Sequence, residues 1–507
     1  MTTWYARLGD PGAHLGTEAE PFDTLAPALA VLADGDQLLL AGDGTDAPFT
    51  DQLLLDPWHT LAVRQWPGQP RAYVDFQAGL GDLDQASVYK RVGWGAGGVL
   101  ELEGFVVRNS AAGGLGQDFA CCAVFRECAA ANSRFVWNCD IEMNTAARGL
   151  MVIQADAGTH ELSGEVRDAT GSPSGYGRCV YITGQGGGRI LATRLNVMNC
   201  NTPDHAFYVS AQLGGYFCGD LLTIQQYGAG EGIASWLRAA GTMHFTRSRV
   251  ELLNAGAGTA YGIWMMDSVV APGEVIFERV EVDAGRNDPM VCNQHGAFFV
   301  DAPNIQLQNC TICGDFGGVW FMDNFLLPLP TGSAGAQVVN CIIACRNDSE
   351  VLGFMPLSVP AARVDGNIYY LRPFLPGQPA FRAAYGDRVY TNFQRWRRAT
   401  RHDNNSFCRN PGLRNLEEGA FDPTRNSVAI DAGQLVTLLT DTDRFSRTAK
   451  HLNPASLCGI GMSAVDIGAL EYEAIVYTPG IEKRSRYGRP EYGLRRGGGT
   501  YVRGWNL

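Results

Sequence analysis

The sequence predicts an all-β fold: a right-handed, single-stranded parallel β-helix with coils of about 28 residues and a short N-terminal capping helix. Three observations predict it. An apolar triple recurs at a near-constant interval, an aromatic ladder recurs at the same interval, and glycine-rich links separate the repeats.

The triple is an apolar anchor with further apolar residues five and seven places on. It reads Ile190, Leu195, Val197; Phe217, Leu222, Ile224; Phe245, Val250, Leu252; Val275, Val280, Val282; Ile305, Cys310, Ile312; and, more weakly, Ala336, Cys341, Ile343. Successive anchors are 27, 28, 30, 30 and 31 residues apart. The second and third members differ by two, so both point to one face of a strand. The pattern extends upstream through Leu100, Phe105, Val107 and through Val136, Ile141, Met143. Leu195, Leu222, Val250, Val280, Cys310 and Cys341 are expected in one inward stack.

The aromatic ladder reads Tyr181, Tyr208, Trp236, Trp264, Phe299 and Trp320, with gaps of 27, 28, 28, 35 and 21 residues. Links such as GQGGG at 184–188 and AGAG at 255–258 punctuate it. A period near 28 is too short for two strands with a crossover helix, which takes roughly 30 residues or more. No amphipathic run of helical period lies between the strands either. Strand, turn, strand, turn, closing once per period, is what remains. An open solenoid end exposes strand edges and needs a cap. Phe22, Leu25, Leu29 and Leu32 fall on one helical face within Pro21–Asp36, and Gly35 suits the stop.

Composition sets limits. Charged residues are 18% of the chain and glycines number 62, which fits many short strands and turns rather than disorder. A net charge of −12 disfavours nucleic acid as a partner of the main body. No apolar run is long enough to span a membrane. The opening MTTWYARLGDPG lacks a basic region followed by an apolar one, so no export signal is expected. The 14 cysteines then read as buried thiols rather than a disulfide scaffold. Cys310, Cys313, Cys341 and Cys345 have a zinc-ribbon count, but Cys313 is three residues from Cys310 along an extended strand and faces the other way. No metal or cofactor is expected.

Residues 16–44, GTEAEPFDTLAPALAVLADGDQLLLAGDG, resemble the opening of the pectate-lyase-like parallel β-helix superfamily. NPGLRN at 410–415, SVAIDAG at 427–433 and DIGALEY at 466–472 resemble its closing segment, and DHAFYVS at 204–210 is similar to its coil phrase. The resemblance covers roughly residues 1–474 and implies the fold, of the kind also found in bacteriophage tailspike, head-spike and decoration proteins. On chemistry it is nearly silent, since the superfold hosts lyases, hydrolases and adhesins alike.

The expected organisation is a cap with first strands over 1–60, a β-helix body over 61–374, a basic insertion over 375–410, closing coils over 411–474 and a basic tail over 475–507. From 482 on, the tail holds seven Lys or Arg against two Glu, opposite in sign to the body. Its Arg484, Arg486, Tyr487, Arg489, Tyr492, Arg495, Arg496, Tyr501, Arg503 and Trp505 have the composition of an interface. It is expected to dock on a sister subunit or another virion protein, making a homo-oligomer.

Two groups could carry chemistry. Asp267, Asp301 and Asp323 follow ladder aromatics by two or three residues. On successive coils such carboxylates would approach the spacing of a glycosidase pair, although Asp is also a common turn residue. Arg249 with Glu251, and Arg279 with Glu281 on the next coil, form a second patch. The resemblance implies an arginine base beside acidic ligands as one reading of it; a surface salt-bridge ladder is the other. The clustered aspartates that hold calcium in pectate lyases are not recognisable. The sequence favours a structural virion protein of a bacteriophage, a capsid decoration, head spike or tailspike, whose body holds host polysaccharide and lacks strong catalysis. A polysaccharide lyase or glycoside hydrolase, and a surface adhesin, are the alternatives.

Overall fold

The computed structural model describes residues 1–507 except 11, 13, 57, 77–85, 91–96, 110–120, 127–131, 143–147, 156, 168–177, 185, 201–204, 213, 227–230, 239–240, 254–258, 269–272, 287–293, 302–303, 316, 323–335, 348, 356–362, 373–379, 431, 435–443, 445–465, 471–474, 478–500 and 504–507. At 154–155, 212, 231–238, 259–260, 266–268, 286, 294–296, 299, 301, 475–477 and 501–503 it describes the backbone alone.

Most strands fall into two long sheets of 21 and 13 described strands, in which each pairs in parallel with its counterpart one coil on, except for the antiparallel pair Ala383–Tyr385 and Arg388–Tyr390. The chain is a right-handed parallel β-helix. In a representative coil, Tyr216–Asp220 and Thr223–Gln226 belong to the larger sheet, here called the flank, and Glu231–Arg238 to the smaller, the face. Side chains alternate across each strand, so one set fills the lumen and the other points outward. The lumen set forms one continuous core.

Between the two flank strands the backbone turns sharply through a left-handed residue. Arg194, Leu221, Arg247, Arg279, Asn309, Asn340 and Gly366 hold this position on successive coils, with φ between 46° and 71°. Only two members are asparagine and one glycine, the types that adopt this conformation most readily. Stacked pairing on both sides holds the others there.

Pairing also corrects one coil of the sequence repeat. Phe217 is level with Met243, and Met243 with Val275; Ile224 is level with Val250, and Val250 with Val282. The third triple is therefore Met243, Ser248, Val250, not Phe245, Val250, Leu252. A buried polar residue in the apolar column hid the register. Ser248 earns its place by hydrogen bonds, its Oγ accepting from Leu222 N at 3.1 Å and donating to Thr246 O at 2.7 Å. A slip of two residues preserves the face, so Val250 is still inward with Leu195, Leu222, Val280, Cys310 and Cys341. It stands one column over.

Both ends are capped. Helix α1 is Leu25–Val31, with Leu25 and Ala28 buried and Leu29 packed on the core. Its first amides, Leu25 N and Ala26 N, donate to Asp51 Oδ2 at 2.8 and 3.1 Å. At the other end, the basic segment expected as an insertion supplies final rungs and the cap. Ala383–Tyr385 extends the face, and Phe407–Cys408 extends the flank. Between them helix α2, Phe393–Thr400, buries Trp396 completely against Phe354, Phe381, Tyr385 and Tyr390. Trp396 Nε1 donates to buried Asp403 at 2.8 Å.

Where closing coils are expected over 411–474, the described residues instead form a strap along the outside of the flank. Leu413–Asn415 pairs antiparallel with Ala420–Pro423. Gln434 N then donates to Asn340 Oδ1 at 2.7 Å, and Gly468 N to Asn340 O at 2.8 Å. The cause is an apolar outer surface: Ile342 and Ile368 pack on Ala429 and Ile467, while Cys313 and Ala344 pack on Phe421 and Leu470. Cys313 thus lies on the face opposite Cys310 and Cys341, which are in the lumen. Among the described cysteines, Cys179 and Cys200 form a disulfide, with Cα atoms 6.8 Å apart, and Cys218 and Cys408 are only half-buried.

Replacing Trp396 by Ala should cost about 3–5 kcal/mol, the usual range for deleting a buried aromatic. Hydrogen exchange should rise at Ala383–Tyr385 and Phe407–Cys408 and stay unchanged at the N-terminal rungs. Uniform loss of protection along the chain would contradict a local cap.

Candidate functional site

The outer surface of the face sheet carries an aromatic ladder. Strand register aligns Tyr89, Val124, Met151, Tyr181 and Tyr208 in one column. It continues through Ala234, Trp264, Phe299, Trp320 and Gly353. The flanking positions, Val180 and Ile182, Phe207 and Val209, Ile263 and Met265, Val319 and Phe321, are buried in the lumen. The column residues Tyr181, Tyr208, Trp264 and Trp320 therefore point outward, and each is half-buried. Trp236 is not a member. It is level with Ser210 and Met266, two positions along, and Ala234 takes its place on the ladder.

The rings are ordered by what lies beside them. Tyr181 and Tyr208 stack with centroids 4.8 Å apart and planes 6° from parallel, the repeat distance of the strands themselves. Arg178 lies over both, its Cζ 5.1 and 4.7 Å from the two centroids. His205 stacks on Tyr208 at 5.9 Å, and Tyr261 tilts against Trp264 at 6.2 Å. Trp320 rests on the next rung because that rung is glycine: a Cβ on Gly353 would stand 2.6 Å from the indole Cε3. Tyr208, Trp264 and Trp320 thus offer a ring about every 10 Å, two rungs apart.

The carboxylate candidates do not join this geometry as a pair. Asp301 is level with Met266, and Asp267 is one position farther along its strand, so the register does not stack them. Asp323 lies outside the described residues.

Pairing rearranges the Arg and Glu candidates as well. Arg249 is level with Glu281 and Glu251 with Asp283, while Arg279 occupies the left-handed turn. Opposite charges are thus in contact, and the cluster is buried rather than on the surface. Arg249 reaches Glu281 Oε2 at 2.5 Å, and its Nε donates to Glu251 Oε1 at 2.7 Å. Gly419 O accepts from Arg249 Nη2 at 2.8 Å, and Phe421 lies 5.5 Å from the guanidinium. Glu281 also accepts from Arg444 at 2.8 Å. Arg346 completes the cluster, 2.5 Å from Asp283, 3.4 Å from Asp315, and donating to Leu416 O at 2.9 Å. Burial works against the charge of Arg249, but Glu281 and Glu251 outweigh it and hold the side chain more firmly protonated than usual. A guanidinium so held is a tie for the strap, not a base. These ties had no signature in the sequence, because Arg346, Asp283 and Asp315 belong to three different coils.

The tail candidates Arg484, Arg486, Tyr487, Arg489, Tyr492, Arg495, Arg496 and Trp505 lie outside the described residues. The strand Tyr501–Arg503 pairs antiparallel with Ile475–Tyr477, bringing the two ends of the tail together. Among the described residues no three His, Cys, Asp or Glu side chains gather as a metal site.

No family model matches the chain, and no curated protein does. Solved structures do. A XylC complex with xylose matches at 9% identity over 76% of this chain and 88% of its own, with a TM-score of 0.46. Pectate lyase Pel9A matches at 12% over 93% and 96%, with 0.44. A rhamnogalacturonan lyase matches at 14% over 82% and 92%, with 0.39. At this level of identity the likeness is one of architecture and carries no chemistry.

Burial pushes the Asp315 carboxyl up to about 7, although Arg346 pulls it down. Arg346 does not reverse the shift because its shorter contact goes to Asp283. An acid whose pKa rises on folding adds stability that is complete below its unfolded value, about 4, and is lost as pH rises through about 7. Asp315→Asn should therefore match the parent in thermal midpoint at pH 4 and exceed it at pH 8. A variant less stable than the parent at pH 8 would show that the ionised pair, not its burial, dominates.

Proposed function

We propose that this chain is a structural β-helix that holds glycans along the outward aromatic ladder of its face sheet. The observation that carries the reading is the stacked Tyr181–Tyr208 pair under Arg178, in register with Trp264 and Trp320. Aromatic rings expose flat apolar surface of the kind that covers the C–H face of a sugar, and a buried ring edge loses little side-chain entropy on binding. Repetition along one axis suits a linear polymer better than a compact ligand. The arginine and histidine beside the tyrosines supply donors to hydroxyl groups.

Binding rather than turnover is favoured by what the candidates for chemistry do. Arg249 and Glu281 are committed to the strap. Asp267 and Asp301 are not stacked by the register. The proposal of a bacteriophage virion component rests chiefly on the arginine- and aromatic-rich tail, with the β-helix body and the buried thiols compatible with it, and is separate from glycan binding.

Affinity electrophoresis against a panel of bacterial surface polysaccharides tests the proposal. Tyr208→Ala and Trp264→Ala should each weaken retention about fivefold or more, as loss of a stacking ring does. Reducing-end and unsaturated-product assays on the retained polymer should show no turnover. Retention unchanged in both variants would remove the ladder as the site. Turnover lost in Asp301→Asn would replace the structural reading with an enzymatic one.

A further inference from the structure

The C-terminal cap holds a second, chemically different concavity. A groove of about 790 Å³ runs between the first turns of helix α2 and the segment Asn404–Arg409. It exists because the chain reverses tightly after the helix. Arg401 closes α2 in the left-handed conformation, its N–H donating to Arg397 O, and the following residues come back alongside. Asp403 fixes the reversal from below. It is fully buried and accepts from Trp396 Nε1 and Tyr369 OH, both at 2.8 Å, and from Ser406 Oγ at 2.6 Å. Asn405 is tied to Asp365 through its N–H at 2.7 Å and its amide nitrogen at 2.8 Å. The groove is thus pre-formed, with a rigid floor and wall.

Its lining combines three chemistries. Arg397 and Arg409 supply cationic forks. Asn392, Gln394 and Asn404 supply neutral amides. Phe393 and Phe407 supply ring surface, each with an arginine close by: Arg397 is 5.8 Å from the Phe393 centroid and Arg409 5.0 Å from that of Phe407. No carboxylate lines the groove among the described residues. From 388 to 409 the chain carries six arginines and one aspartate, the buried Asp403, a local net of +5 on a molecule of −12. This end is the cationic pole of an acidic body.

A guanidinium pairs in a planar fork with a carboxylate, amides bond hydroxyls in either direction, and phenyl rings cover C–H faces. Together they fit a ligand that is anionic, hydroxylated and partly apolar. The volume is that of a small-molecule site. The negative body disfavours a long polyphosphate, whose charges extend past the groove. We propose that this groove binds an acidic oligosaccharide, Arg397 and Arg409 taking its carboxylates and the two phenyl rings its sugar faces. The site is separate from the aromatic ladder in place, lying on the C-terminal cap rather than on the face sheet.

Titration calorimetry on the full chain, with a mannuronate trisaccharide as probe and neutral mannotriose as its control, tests the proposal. The acidic trisaccharide should bind and the neutral one should bind at least about tenfold more weakly, with the preference shrinking at high salt. Arg409→Gln, at an exposed position, should lose about fivefold in affinity, and Arg397→Gln with Arg409→Gln more than the single change. Because Arg397 also donates to Asn404 O at 2.6 Å, its loss could disturb the wall; Gln394→Glu, which places a like charge in the groove from an exposed position, should weaken the acidic probe without lowering the thermal midpoint. Trp264→Ala should lower the affinity for the acidic probe far less than Arg409→Gln does, which separates this site from the ladder. Equal binding of the two sugars, affinity unmoved by Arg409→Gln and Gln394→Glu together, or binding of a single-stranded oligonucleotide in place of the trisaccharide would each overturn the proposal.

Discussion

Everything in this molecule depends on the level at which each strand meets the strand one coil away. A parallel pair slipped by one residue would exchange lumen for surface along its whole length. The left-handed residue between the two flank strands pins that level. It recurs from Arg194 to Gly366, even where the side chain is arginine or leucine. Once the turn is fixed, the apolar column behind it, the aromatic column on the face and the charged column under the strap follow without further choice. Their contacts in turn hold the turn in a conformation that an isolated chain would avoid.

The two outer surfaces have been put to different uses by that one register. The flank has apolar outward residues, Cys313, Ile342, Ala344 and Ile368, together with arginines and carboxylates that neutralise one another, and the strap covers them. Its ion pairs are shielded, and their value lies in the placement of the strap more than in net stability. The face keeps its aromatic rings half-exposed beside Arg178 and His205. The sealed surface is mechanical and the open one is available for recognition. The cap adds a cationic end to an otherwise acidic solenoid.

Much of this was legible in the residues. The period, the alternation and the N-terminal helix followed from Leu195, Leu222, Val280 and their partners, and from Leu25 and Leu29; Phe22, expected on the same helical face, instead bridges to Ala6. Two features hid the rest. Ser248 interrupted the apolar column, and the nearest apolar match, Val250, lay two residues on, a slip that alternation cannot detect. That slip turned Arg249 over Glu281 into an apparent Arg249 over Arg279, and so misplaced the partners of the expected salt-bridge ladder. It did the same for Trp236 and Ala234 on the face. The strap was missed because its motifs resemble coil phrases, although the small apolar residues at outward positions 313 and 344 were a signal that something covers them. The Cys179–Cys200 bridge left no trace in spacing, since its residues come from the face and the flank of neighbouring segments.

The register at the third coil is the central claim, and a double-mutant cycle between Arg249 and Glu281 tests it most directly. Thermal or denaturant unfolding of Arg249→Met, Glu281→Gln and the double variant gives the coupling free energy. Two buried charges in contact predict a coupling of about 1.5 kcal/mol or more. Additive effects, within about 0.5 kcal/mol, would mean that the two residues are not level and that the coil is registered as the sequence repeat alone suggests.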